Sequence, residues 1–308
     1  MRRKFRKSAA LLLLFFPQVL GCEGAQDVGS SDTLPVVVTS IFPIGDLARQ
    51  LAGELARVEV LLPPGASPAT FDVTPRQIRD LQRAGLFLMI GGGLDEWVSQ
   101  LPEASGGDSP VVRLSDGVPL LAGEEDEHGH DHGSGNPHIW LDPILVRDQI
   151  LPKLGEALKG AIPDGAKLID DRASLLADSL TALDEEIRET LRPLEHRAFI
   201  STHSAWTYFA ARYGLEEAGV IHAHPGQDPS SREMAALLEV ARARGINCLF
   251  TEPQLGEVAA RALATELSLP TCLLDPLGGP NQEGRTGYFQ LLRFNTRQLV
   301  HGLGGAES

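Results

Sequence analysis

Cysteine is scarce in this chain of 308 residues: only Cys22, Cys248 and Cys272 occur, with no Cys-x-x-Cys pair and no Cys/His finger spacing. Thiolate-held zinc is therefore not signalled. Positive charge is also in deficit. Lys and Arg number 27 against 41 Asp and Glu, giving a formal net charge of −14. This balance argues against nucleic acid as a partner and is compatible with a cationic one. There is no HExxH motif and no second carboxylate cluster of the kind that builds a two-metal hydrolase. Long hydrophobic runs are missing as well. The apolar run at residues 9–20 is too short and too badly placed for an ordinary membrane span.

What is present begins with an address. Arg2, Arg3, Lys4, Arg6 and Lys7 precede that apolar run, as in a secretory signal. The run ends in Val19, Leu20, Gly21 and Cys22, which resembles a bacterial lipobox in which Cys22 is lipidated. An ordinary secretory peptide with an incidental cysteine is the plainer reading, and both export the chain. Residues 1–21 are then a lipoprotein signal peptide and residues 22–34, small and acidic, a tether. The protein is expected at the cell envelope, on the periplasmic side, with a lipid anchor to the membrane.

The remainder is long enough for two domains and, at 43% hydrophobic and 22% charged residues, has a soluble globular composition. Apolar runs predict strands over residues 35–40, 57–62, 86–90 and 110–114, and again over 197–202, 215–221, 246–251 and 270–274. Helical patterns fall between them, including 43–53, 94–101, 231–244 and 256–267. Alternation of strand and helix implies mainly parallel sheets covered on both faces, and so two α/β lobes, residues 35–163 and 194–308. Between the lobes Ile169, Ala173, Leu176, Leu180, Leu183, Ile187, Leu191 and Leu194 recur every three or four positions. They predict a long rigid helix within residues 164–193, with Asp164 as N-cap and Pro193 as terminator. A coiled-coil segment is the alternative, but a single helix between two α/β halves reads better as a spine. Cys248 and Cys272 lie in apolar runs, either as a disulfide or as two buried hydrophobes.

Ligands of parallel sheets bind beyond the carboxyl ends of the strands. In the second half the polar residues there are His203, then His222 and His224, then Glu252, then Asp275. Imidazole and carboxylate on one rim make a donor set for a borderline divalent metal such as zinc. The same chemistry appears at residues 124–143. An acidic run carrying His128, His130 and His132, with no apolar periodicity, forms a loop over residues 124–135, and His138 follows beside Trp140. Taken singly, each has a bland reading: a packed histidine, a helix-start residue, a turn aspartate, a solvated charge run. Their coincidence at strand ends shifts the balance towards a metal site.

The loop followed by NPHIWLDP, then FISTHSAWTYFAARYGL (199–215), CLFTEPQL (248–255) and LLDPLGG (273–279), resembles the zinc and manganese solute-binding proteins of bacterial ABC transporters. The resemblance runs from about residue 36 to near the C-terminus. It implies two α/β lobes joined by a rigid helix, with the metal in the cleft between them. His138, His203 and Asp275 match family ligand positions. The histidine loop matches one found in the zinc-type branch. One position departs: Ala69 stands where the family's first histidine belongs, and a methyl group cannot coordinate. Water, His128, His130, His132, His222, His224 or Glu252 are the substitutes open to it. The implied function is extracytoplasmic Zn2+ capture and delivery to a permease membrane subunit, with Mn2+ less suited to an imidazole-rich set. The alternatives are a zinc hydrolase with three ligands and water, with Glu252 as general base, or a metal buffer or adhesion lipoprotein.

Overall fold

The computed structural model describes residues 34–122, 135–222 and 227–304. The first half is built from β1 (Val36–Thr39), α1 (Phe42–Ala52), β2 (Arg57–Val60), α2 (Pro75–Asp80), β3 (Ala84–Met89), α3 (Leu101–Ala104) and β4 (Val111–Arg113). All four strands are parallel, in the order β2-β1-β3-β4. Next come α4 (Pro143–Leu145), a π-helical turn (Val146–Ile150), α5 (Leu151–Ala161) and the long α6 (Ala166–Leu191). The second half contains β5 (Ala198–Ser201), α7 (Thr207–Tyr213), β6 (Glu216–Val220), α8 (Ser231–Arg244), β7 (Leu249–Thr251), α9 (Val258–Leu267), β8 (Thr271–Leu273) and α10 (Tyr288–Gly302). Its sheet is again parallel, in the corresponding order β6-β5-β7-β8. Two α/β domains with parallel sheets and a long helix are therefore present, as the strand and helix patterning predicts.

Period-two alternation decides which core each strand residue joins. Val37, Leu86 and Leu88 enter a large central core, while Val36, Val38, Phe87 and Met89 enter a smaller one on the opposite face of the first sheet. In the second sheet Phe199 and Phe250 face the central core, and Ile200 and Leu249 face the outer one. The central core is shared, because Ile169, Leu176, Leu180, Leu183, Ile187 and Leu191 of α6 lie buried within it.

At 26 residues α6 is about 39 Å long. Polar contacts hold it to both halves. Arg172 donates to the carbonyls of Leu51 and Ala52 at the C-terminus of α1 (3.1 and 2.8 Å), and Glu186 pairs with Arg293 of α10 at 2.7 Å. Gly53 makes the first contact feasible: its φ is +53°, and a Cβ there would stand 2.6 Å from the Arg172 guanidinium. Two local expectations are corrected. Asp164 is not the N-cap of the helix, because Pro163–Gly165 forms a 3-10 turn that feeds straight into it and leaves Gly165 at the cap position. The helix expected over 94–101 is a 3-10 turn (Glu96–Gln100) before α3, since Pro102 lacks the amide needed to carry a longer α-helix through. Cys248, just before β7, forms a disulfide with Cys272 of β8, with Cα atoms 6.4 Å apart. Among the described residues no helix is long and apolar enough to cross a membrane.

Candidate metal centre

In both sheets the strand order reverses direction beside the first strand: β1 lies between β2 and β3, and β5 between β6 and β7. This topological switch point is where side chains after the strand ends have room to meet a ligand. His203 follows β5 and Glu252 follows β7, so both stand at the switch point of the second sheet.

The segment carrying His138 is shaped by its own sequence. Asn136 Oδ1 accepts the His138 amide (3.0 Å) and lies 2.8 Å from His138 Nδ1. The Asn136 amide group is spent elsewhere, since Nδ2 donates to the Ser204 carbonyl (2.6 Å) and to Thr207 Oγ1 (3.1 Å). Trp140 is fully buried, with its ring centroid 5.0 Å from that of His138, and its Nε1 donates to the Pro276 carbonyl at 2.8 Å. Asp142 caps α4 by accepting from the amides of Ile144 and Leu145, and Pro143 takes the first helical position. Each polar residue of NPHIWLDP thus has a structural task, and their joint product is a rigidly presented imidazole, only 8% exposed.

His203 is held from the other side. Its Nδ1 lies 2.8 Å from Glu252 Oε2, and Glu252 is 1% exposed. Asn136 presents its oxygen to His138, which places the hydrogen of that ring on Nδ1. The two Nε2 atoms face each other across 3.2 Å. Burial, with the neighbouring His203 as a second cause, pushes the His138 pKa well below its ordinary value and favours the neutral ring.

Asp275 is engaged differently. Its Oδ1 accepts from Gln254 Nε2 (2.8 Å) and from the amides of Leu277 and Gly278 (both 3.0 Å), while Oδ2 pairs with Arg285 Nη1 at 2.7 Å. Ala69 is exposed in the 3-10 turn Pro68–Thr70, and its methyl offers no donor. The His222 amide donates to the Thr202 carbonyl, beside His203, and its Nδ1 lies 2.8 Å from the Gln227 carbonyl. Among the described residues no three His, Cys, Asp or Glu side chains are gathered to hold a metal, so His138 and His203 come together as a pair. His128, His130, His132, His224 and Cys22 lie outside the described residues.

Two participants carry no obvious mark in the sequence. Asn136 acts by orienting His138. Glu217 accepts from Ser201 Oγ (2.6 Å) and Thr207 Oγ1 (3.1 Å), beside the strand that delivers His203, and burial pushes its carboxyl up to about 7. The signal for it was an acidic pair, Glu216 and Glu217, opening a strand whose alternation must turn one of them inward.

The whole described body has recognisable relatives. The family model of the zinc-uptake complex component A periplasmic (ZnuA) matches residues 37–302. The high-affinity zinc uptake system protein ZnuA of Bacillus subtilis (strain 168) is 28% identical over 316 residues, covering 97% of this chain and 98% of that protein. The zinc-binding lipoprotein AdcA of Streptococcus pneumoniae serotype 4 is 27% identical over 276 residues, covering 85% of this chain but only 54% of that longer protein. Among solved structures, a 138-173 ZnuA deletion mutant with zinc bound superposes with a TM-score of 0.78 at 26% identity, over 89% of this chain and all of the other.

Proposed function

From the zinc-uptake complex component A family, to which the chain belongs, we propose that this protein captures Zn2+ outside the cytoplasm and delivers it to an ABC-type import permease. The observation that carries the reading is the pair of Nε2 atoms of His138 and His203, 3.2 Å apart in a partly buried setting. Zinc at about 2.05 Å from each nitrogen, in tetrahedral geometry, places its ligand atoms about 3.3 Å apart, so the imidazoles already stand near the required separation. The acceptors behind them, Asn136 and Glu252, are the partners that a metal-binding imidazole needs on its far nitrogen.

Zn2+ is the cargo, and His138 and His203 are its protein ligands in this reading. Ala69 leaves a coordination position for water, or for an imidazole of His128, His130 or His132 in the acidic loop, which otherwise collects metal at low affinity. Imidazole nitrogen favours zinc over manganese, whose sites are richer in oxygen donors. The lipobox around Cys22 supports a lipid anchor that keeps the carrier beside its permease.

The test is calorimetric titration of metal-stripped protein with Zn2+ in the presence of a competing chelator. His138→Ala and His203→Ala should each weaken binding by at least ~100-fold, because each removes a ligand whose bond drives capture. Native-like circular dichroism with unchanged zinc affinity in both variants would overturn the proposal.

A further inference from the structure

We propose that Thr207 and Tyr208, the first two residues of α7, are positioning residues that set the spacing of the two imidazoles by gripping Asn136; the proposal rests on His138 and His203 being the metal pair. The two rings come from segments 65 positions apart, so the 3.2 Å between their Nε2 atoms depends on whatever joins those segments. His203 stands at the cap position of the 3-10 turn Ser204–Trp206, which runs straight into α7. His203 and the start of α7 are therefore one continuous piece.

Tyr208 joins the other ring to that piece through the backbone. It is 4% exposed, and its hydroxyl stands between two backbone groups, donating to the Asn136 carbonyl (2.7 Å) and accepting from the Leu121 amide (2.9 Å). The Asn136 amide donates to the Leu121 carbonyl at 2.8 Å, which closes the arrangement. Burial raises the phenol pKa, so the hydroxyl keeps the hydrogen it donates. The position of the Asn136 carbonyl carries over to His138 with little slack. Between that carbonyl and the His138 amide lie planar peptide units, the φ of Pro137, which its ring fixes, and one soft torsion, the ψ of Pro137. The bond from the His138 amide to Asn136 Oδ1 holds that torsion.

Thr207 grips the side chain. Its Oγ1 accepts from Asn136 Nδ2 at 3.1 Å, next to the Ser204 carbonyl that accepts from the same group, and donates to Glu217 Oε2 at 3.1 Å. With its nitrogen held by these two acceptors, the Asn136 amide turns its oxygen to His138 Nδ1. One helix start thus holds both rings, His203 by chain continuity and His138 through Asn136. A metal that meets donors already in place does not have to order them, so loosening either grip weakens binding.

The test is titration of the metal-stripped full chain with Zn2+ against a competing chelator, for Thr207→Val, Tyr208→Phe, Asn136→Ala and each of the first two combined with Asn136→Ala. Phe keeps the buried ring and Val the branched shape, so each change removes a hydroxyl and little else. Thr207→Val and Tyr208→Phe should each weaken zinc binding by ~5- to 10-fold, at or below the low end for losing a direct partner of a ligand. In Asn136→Ala the grip on the side chain is already gone, so adding Thr207→Val should cost less than ~2-fold more, and adding Tyr208→Phe clearly less than it costs in the wild type. A second readout does not depend on affinity. Nitrogen NMR shifts of the neutral His138 ring should report the Nδ1–H form in the wild type and a mixture with the Nε2–H form in both single variants. Zinc affinity within ~2-fold of wild type in both folded single variants overturns the inference, and so do losses that simply multiply with that of Asn136→Ala. If one variant does not fold, the other decides. The proposed function is read separately: zinc binding lost in His138→Ala and His203→Ala but unchanged in Thr207→Val and Tyr208→Phe refutes only the positioning role.

Discussion

Among single residues, His138 and Glu217 give the protein opposing responses to acid. Burial holds the His138 pKa well below the ordinary value of 6.5, so the unfolded chain takes up a proton near that pH that the folded chain refuses. The stability this group contributes is present above about pH 6.5 and is lost as pH falls below it. Glu217 works the other way. Burial raises its pKa from 4.5 to about 7, so between those values the folded chain binds a proton that the unfolded chain does not, and stability is lost as pH rises through 7. Glu217→Gln removes only the second effect. Thermal melts of the metal-free protein should show this variant gaining on wild type at about pH 8 relative to about pH 5. A difference between the two proteins that does not change with pH would count against a protonated Glu217. The residues that could be read from sequence were those with metal-donor side chains, His203, Glu252 and Asp275 after strands and His138 before the turn that carries Trp140. What could not be read was engagement. Nothing in the text says that Asp275 has Arg285 ten positions on as its partner, or that Asn136 turns a nearby histidine into one defined tautomer.

Elements were more legible than residues, for a simple reason. A strand buried on both faces must be an apolar run, so the inner strands β1, β3, β5 and β7 stood out by composition more than the edge strands, and the i, i+3, i+4 stripe of α6 stood out by period. Ends were less clear, because a 3-10 turn such as Pro163–Gly165 uses the same residues as a capped helix start. Pairing of Cys248 with Cys272 was undecidable in one dimension, where a disulfide and two buried thiols look the same. In the fold this bond ties β7 to the edge strand β8, the two strands that lead to Glu252 and Asp275. It closes a loop with a sequence separation of 24, for which chain entropy gives about 3 kcal/mol of stabilisation. Cys248→Ala combined with Cys272→Ala should lower the melting temperature by roughly 5 °C or more. Reducing agent should lower the wild-type value but leave the variant unchanged. Equal melting of wild type with and without reductant, after thiol counting proves full reduction, would show that the bond contributes nothing.

At the scale of the molecule the two halves are already joined before any metal arrives. Asn136 reaches Ser204, Trp140 reaches Pro276, and the Tyr288 amide donates to Asp46 of α1 at 2.8 Å. The two α/β halves and their connecting helix were foreseeable from the order of strands and helices; these cross-links were not, because each joins residues 68 to 242 positions apart. Pinned by Arg172 at one end and Glu186 towards the other, the spine opposes a wide swing of one half against its partner. The consequence is thermodynamic. A carrier that closes like a jaw removes apolar surface from water when it binds, and its binding enthalpy then changes steeply with temperature: ~1,000 Å² of newly buried apolar surface corresponds to about −0.45 kcal/mol/K. On the proposed function, a carrier held by this spine hides little new apolar surface, so its heat of zinc binding, corrected for buffer protonation, should stay nearly level between about 10 and 35 °C. A slope close to that of the jaw would mean that the spine bends.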